Sequence, residues 1–204
     1  LPAAVTIILA VGMEALLKRG GLVRNLLAVE TLGSTTVVLT DKTGTLTQAK
    51  MAITGLIGAD GARERSDGWQ QSQFVQELFD TSLCAVDAFF DQTEGGRVSR
   101  GEPVERAILE LADTFAIGTN AHSYRAQRID YLAFTSENRY AAGLAPERDG
   151  TYRLCVNGAP ELLLQHAHSV VEQGAVVPLS HDRREKLVQA IDQATRAGKR
   201  LVAT

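Results

Sequence analysis

The apolar positions of this chain fall into three patterns, and each predicts a different kind of element. Residues 1–17 are almost continuously apolar, broken by Thr6, Gly12 and Glu14 and closed by Lys18-Arg19-Gly20-Gly21. The stretch is shorter than the ~20 residues that cross a bilayer. A buried core helix and the cytoplasmic end of a membrane helix, with its trailing basic pair, both fit it. A valine-rich run at 35–40 predicts a fully buried strand, and 51–58 predicts a second. Residues 59–68, rich in Gly, Asp, Arg and Ser, predict a linker into a further domain.

Helical spacing then takes over. Phe74, Val75, Leu78, Phe79, Leu83, Val86 and Phe90 predict one amphipathic helix over 72–90. Residues 93–100 read as a loop about Gly95-Gly96. A second helix is expected over 102–117, with Pro103 in its first turn and Val104, Ile108, Leu111, Ala112 and Phe115 on its apolar face. Strands are expected at 125–134, 139–144 and 151–156, the last following an Asp149-Gly150 turn. Asn157-Gly158-Ala159-Pro160-Glu161 opens a helix running to about His168, and 170–179 reads as a hairpin about Gln173-Gly174. Ser180 caps a long helix that Gly198 ends, and 200–204 begins a strand returning to the core. The sum is an α/β chain.

Composition narrows this only a little. With 204 residues, 45% hydrophobic and 22% charged, the chain has ordinary globular content for one large or two small domains. A net charge of −3 without a basic run argues against nucleic acid as a partner. Cys84 and Cys155 lack metal-ligand spacing and read as buried free thiols. His166 and His168, two apart, do not share a helix face. Leu1 starts within one pattern and Thr204 stops within another, so a piece of a longer protein is expected.

The chemistry gathers where the valine run ends. Asp41 stands at the carboxyl end of the expected strand, where open α/β sheets place ligands. Gly44 permits a tight turn with backbone N–H groups near an anion. A carboxylate beside Lys42 and several hydroxyls suits a nucleophile that must approach a phosphoryl group. For Asp-Lys-Thr alone, a polar turn with a solvated lysine would serve as well. Asp41-Lys42-Thr43-Gly44-Thr45-Leu46-Thr47, however, matches letter for letter the phosphorylation motif of P-type ATPases. The chain therefore resembles that family, in its calcium-pump-like, cation-transporting branch.

The resemblance implies a partial haloacid-dehalogenase-like, Rossmann-like phosphorylation core with an inserted α+β nucleotide-binding domain, an antiparallel sheet flanked by helices. It divides the chain into the end of a transmembrane or stalk helix (1–20), the first part of the phosphorylation domain (21–58), the nucleotide-binding domain (59–198) and a returning strand (199–204). Val23-Arg24-Asn25-Leu26 and the segment at 29–33 resemble the stalk connection; Glu30 fits either an ion pair or a solvated surface acid. Asp41 is implied as the nucleophile that takes the γ-phosphoryl group of ATP, with Lys42 beside it. Asp41 and the backbone carbonyl of Thr43 are implied Mg²⁺ ligands. Thr43 also stands where related phosphatases carry an Asp acting as general acid and base, so an aspartyl-phosphate here should persist.

Three further patches resemble the family's nucleotide site. In Gly101-Glu102-Pro103-Val104-Glu105-Arg106-Ala107, Glu105 is implied to accept a hydrogen bond from the adenine amino group. In Phe134-Thr135-Ser136-Glu137-Asn138-Arg139, Phe134 is implied to stack on adenine, for about 1–3 kcal/mol, and Arg139 to face phosphate. The third, Asn157-Gly158-Ala159-Pro160-Glu161, has Asn where the family norm is Lys, and Ser136 stands where arginine is common. Losing one charge-assisted hydrogen bond costs roughly 1.5–3 kcal/mol, or about 10- to 100-fold in affinity. None of His122, His166, His168 and His181 precedes a proline, unlike the His-Pro pair of heavy-metal pumps. The implied whole is an integral membrane pump whose transported cation, Ca²⁺ favoured, binds in membrane helices outside this chain, with this region mainly cytoplasmic. The family's later Thr-Gly-Asp and Gly-Asp-Gly-x-Asn-Asp segments and its Thr-Gly-Glu do not occur here. A cap-bearing phosphatase and a non-catalytic nucleotide-binding module stand as the other readings.

Overall fold

A computed structural model describes residues 2–25, 31, 33–116, 125–172 and 174–204. Glu30, with Leu26, Val29 and Leu32 of the expected stalk connection, His122, and Gln173 of the 170–179 hairpin lie outside the described residues. The chain divides into two compact units, residues 1–49 and 50–204.

In the first unit the apolar stretch forms helix α1 (Pro2–Lys18). At 1.5 Å per residue its 17 residues span about 25 Å. No helix among the described residues is long and apolar enough to cross a membrane. Ile7, Ile8 and Val11 are exposed, and Glu14 pairs with Lys18 at 2.7 Å. Gly20, at φ +84°, ends the helix by donating to the Leu17 carbonyl at 2.9 Å. Residues 35–40 do not form the buried strand expected of them. They carry no ladder, and Val37, Val38 and Leu39 are 71%, 78% and 95% exposed. A central strand needs hydrogen-bonding neighbours on both edges. The first unit offers no other strand among the described residues.

The second unit holds nine short strands in four antiparallel sheets, together with α-helices, a 3-10 turn at Asp67–Gln71 and a helical turn at 125–127 where a strand was expected, among its described residues. Strands β1 (Gly55–Gly58) and β2 (Gly61–Glu64) form a hairpin across the stretch expected as a linker. The expected helix over 72–90 stops early. Helix α2 (Gln73–Cys84) is followed by β3 (Phe89–Thr93), which pairs with β4 (Gly96–Arg100) where a loop was expected. Val86 and Phe90 continue the helical spacing by coincidence. Gly101, at φ +123°, permits the close return, since a Cβ there would lie 2.8 Å from the Ala88 Cα.

Helix α3 (Pro103–Thr114) follows, and then the meander β5 (Asp130–Leu132), β6 (Tyr140–Pro146) and β7 (Tyr152–Gly158). Helix α4 (Pro160–His166), hairpin β8 (Ser169–Glu172) and β9 (Ala175–Pro178), and α5 (His181–Arg196) complete the unit. Ser180 caps α5 by accepting from the Arg183 N–H at 3.4 Å, and Gly198 ends it at φ +74°. Arg184 of α5 donates to the free carbonyls of Leu164 and Ala167 at the end of α4. The segment at 200–204 joins β7 by a single bridge, Gly158 to Ala203, rather than as a full strand.

The core lies between α2 and α3. Val75, Phe79 and Leu83, four apart, meet Ile108, Leu111 and Ala112, with Trp69 against Phe115 at 6.4 Å. The other side of α2 packs on β6 and β7. Its last turn comes so close that a Cβ on Gly143 would lie 2.0 Å from the Cys84 carbonyl oxygen. Cys84 and Cys155 are both free and fill this seam. Gly143→Ala is therefore expected to lower unfolding free energy in urea by about 3 kcal/mol or more. Gly95→Ala, which meets no atom closer than 4.0 Å, should move it far less.

Candidate functional site

The motif in the first unit folds into a small closed loop. The Asp41 side chain caps its own turn, its Oδ1 accepting from the Lys42 N–H at 2.7 Å. Gly44 sits at φ +82°, and the Thr47 N–H closes the loop on the Lys42 carbonyl at 3.1 Å. The Gly44 N–H points to the Thr47 hydroxyl at 3.4 Å. Asp41, Lys42 and Thr43 are all exposed. Asp41 keeps one carboxylate oxygen outside this turn, and the Thr43 carbonyl is nearby in sequence. That donor set fits a Mg²⁺ that takes the rest of its shell from phosphate and water. No group of three His, Cys, Asp or Glu among the described residues could hold a metal by itself.

In the second unit, Phe134, Arg139, Asn157 and Gly158 lie at one end of the β5–β6–β7 meander, whereas Glu105 lies on α3 and meets β5 at Tyr131, opposite Gly143 in the middle of β6. Phe134 lies in the turn between β5 and β6, half exposed at 51%. That turn is tied by Arg139 N–H to Thr135 O at 2.8 Å and by Asn138 N–H to the Thr135 hydroxyl at 3.0 Å. Arg139, in the left-handed region at φ +62°, is exposed and ion-paired with Glu161 at the start of α4. Its carbonyl accepts from Ala159 at 3.0 Å, so the turn and the Asn157-Gly158-Ala159 segment form one ledge. Gly158 is required there, because a Cβ would lie 2.7 Å from Tyr140 Cβ.

Asn157 is buried at 7% exposure. Its Nδ2 donates to the Ser82 carbonyl at 2.8 Å, in the last turn of α2, where the Ala85 N–H also donates at 3.1 Å. Its Oδ1 is buried without a partner among the described residues.

Glu105, in the first turn of α3, is half-buried. It accepts from the Tyr131 hydroxyl at 3.0 Å. Burial pushes its carboxyl up, the Tyr131 hydroxyl and the backbone at Asp87 pull it back, and the carboxylates of Asp87 and Glu102 push further. Tyr131 is pushed up in turn, by burial first and then by Glu105. Tyr131, Arg128 and Asp87 were not anticipated from the sequence. The available signal was a tyrosine on the inward side of a strand, whose hydroxyl needs a partner.

The other face of the meander carries an open apolar groove of about 490 Å³, lined by Leu132, Tyr140, Leu144, Val156 and Leu162 among others.

A family model described as P-type ATPase, cytoplasmic domain N, matches residues 74–204. The chain is similar to calcium-transporting ATPase 1 of Lactococcus lactis, 33% identical over 195 residues, 95% of this chain and 21% of the relative. It is similar to calcium-transporting ATPase 1 of Bacillus cereus, 28% identical over 203 residues, 100% of this chain and 22% of the relative. The sodium/potassium-transporting ATPase subunit alpha-A of Artemia franciscana is 30% identical over 216 residues, 98% of this chain and 22% of the relative. The chain thus spans about a fifth of the length of these curated relatives.

Two expectations follow from the geometry. Asn157→Ala should cost about 0.5–1.5 kcal/mol in urea unfolding, because it removes the buried hydrogen bond that ties β7 to α2 while the Ser82 carbonyl keeps the Ala85 N–H. Glu105 holds its proton more tightly folded than unfolded. Its contribution to stability is therefore complete below the ordinary Glu value of about 4.3 and is lost as pH rises through the raised folded value. Urea midpoints across that range should show the parent losing stability relative to Glu105→Gln as pH rises.

Proposed function

The chain belongs to the P-type ATPases, and from that membership we propose that it supplies the phosphorylation loop and nucleotide-binding domain of an ATP-driven cation pump. Its relatives' names favour Ca²⁺ as the cargo, carried by membrane helices beyond this chain. On this reading α1 belongs to a helix entering the membrane, and residues 35–40 become a central strand of a haloacid-dehalogenase-like core when the rest of the pump pairs with them. The nucleotide domain faces the cytoplasm.

The observation that carries the reading is that Phe134, Arg139 and Gly158 share one end of the meander, with Glu105 joined to the same sheet through Tyr131 of β5. The exposed Phe134 ring offers a stacking platform for adenine. Glu105 accepts from the adenine amino group, and Arg139 exchanges Glu161 for a phosphate. That exchange costs little, since exposed ion pairs contribute about 0–1 kcal/mol.

Asp41 then attacks the γ-phosphorus. One carboxylate oxygen forms the new O–P bond, the bond from the γ-phosphorus to the β,γ-bridging oxygen breaks, and ADP leaves with that electron pair. The Lys42 ammonium offsets developing negative charge. Asp41 and the Thr43 carbonyl would hold a Mg²⁺, which would supply neutralisation of phosphate charge. With Thr43 in place of a second carboxylic acid, no side chain in the loop activates water, so the acyl phosphate persists as a coupling intermediate. The 204 residues by themselves bind ATP and do not turn it over, because the family's later loops are absent from the sequence.

Calorimetric titration of the full chain with ATP tests this. Saturable binding is expected, weakened about tenfold or more by Phe134→Ala and by Glu105→Ala. No saturation at millimolar ATP, or variants that bind as the parent does, would refute the nucleotide site. An acid-stable, hydroxylamine-sensitive phosphoprotein formed by the chain alone would refute its incompetence for the first chemical step.

A further inference from the structure

Glu105 is not presented to the nucleotide as a free carboxylate. The Tyr131 hydroxyl donates to its Oε1 at 3.0 Å, and the backbone at Asp87 also favours the charged carboxylate. The Tyr131 ring is itself held, with the Arg128 guanidinium 3.9 Å from its centroid. Arg128 is 8% exposed along its side chain and is anchored to the Val86 carbonyl at 2.8 Å and to the Asp87 carboxylate. Asp87 also takes Arg125 at 3.2 Å. One linked set of groups, reaching from the end of α2 to β5, thus aims a single carboxylate.

We propose that Tyr131 is a positioning residue that keeps Glu105 an ionised, acceptor-only group, and so makes the site select adenine over guanine nucleotides. This rests on the reading of Glu105 as the group that meets the base. With the Tyr131 hydroxyl on one oxygen of the ionised carboxylate, its remaining lone pairs require a donor such as an N–H. Adenine offers an amino donor at its six-position, where guanine offers a carbonyl oxygen. A carbonyl brought against that carboxylate leaves two acceptors facing each other, desolvated and unpaired.

The charge balance around Glu105 makes Tyr131 decisive. Burial and the carboxylates of Asp87 and Glu102 favour the protonated form, while Tyr131 and the backbone at Asp87 favour the ionised one. A protonated Glu105 could donate to a six-carbonyl, and discrimination would fall.

Tyr131→Phe separates this role from a structural one, since it keeps the ring beneath Arg128 and removes only the donor. Two readouts are taken on the full chain: carbon-13 NMR titration of the Glu105 carboxyl, and calorimetric affinities for ATP and GTP against pH. The proposal expects Tyr131→Phe to move the Glu105 titration to higher pH. It expects ATP affinity to fall about tenfold. The ATP-over-GTP preference narrows with it, and the acid limb of ATP binding shifts to higher pH. An unchanged Glu105 titration together with an unchanged ATP-to-GTP ratio in Tyr131→Phe overturns the proposal. Parent-like ATP binding by Glu105→Ala would show instead that the nucleotide reading of Glu105 had failed, and the specificity claim would fall with it.

Discussion

The last turn of α2 lies directly on the β6–β7 ladder, and the geometry of the second unit depends on that approach. Only a glycine at 143 lets the Cys84 carbonyl come so near the sheet, and Asn157 meets the neighbouring Ser82 carbonyl with a hydrogen bond. Helix-terminal carbonyls have no partner within their own helix, so burying them against a sheet is costly unless the sheet supplies a donor. Here the sheet does, from within β7. Cys84 and Cys155 fill the remaining seam with small, weakly polar atoms.

From this contact the structure leads outward to the site. Because α2 ends at the ladder, Val86 and Asp87 emerge beside β5, where Arg128 takes both. Arg128 in turn holds the Tyr131 ring, and Tyr131 reaches across to Glu105 in the first turn of α3. Three residues after Tyr131, the chain turns through Phe134 to Arg139, and that turn rests on the Gly158 ledge. A residue buried for packing reasons and residues free to meet ligand therefore belong to one connected piece of structure. It also gives Asn157 a role within the fold: its amide ties β7 to α2, whatever a nucleotide does nearby.

Much of this was legible in the sequence where one signal dominated. The α3 face, the Ser180 cap, the Gly198 stop and the Asp149-Gly150 turn each have a local physical cause, and each sits where it was expected. Legibility failed where local pattern and tertiary context diverge. Val86 and Phe90 keep helical spacing with α2, yet the chain leaves the helix at Cys84 because β3 pairs with β4. Gly95 and neighbouring polar residues looked like a loop and instead turn a hairpin. The valine run at 35–40 has the composition of a buried strand but no strand to pair with among the described residues of its unit. Phe134 and Glu105 are proposed for the site from motif alone, and the structure leaves Phe134 half exposed and Glu105 bonded to Tyr131. Tyr131, Arg128 and Asp87 were not legible, because their roles arise from a contact between β5, α3 and the end of α2 that no spacing encodes.

The central claim is that adenine nucleotide docks at the end of the β5–β6–β7 meander. Amide chemical-shift mapping of the full chain during an ATP titration addresses it most directly. Perturbations are expected to cluster at Glu105, Tyr131, residues 134–139 and Gly158, with the β8–β9 hairpin and the second half of α5 unmoved. Perturbations concentrated on the opposite, apolar face of the meander near Leu144 and Leu162, or the absence of any localised change, would contradict it.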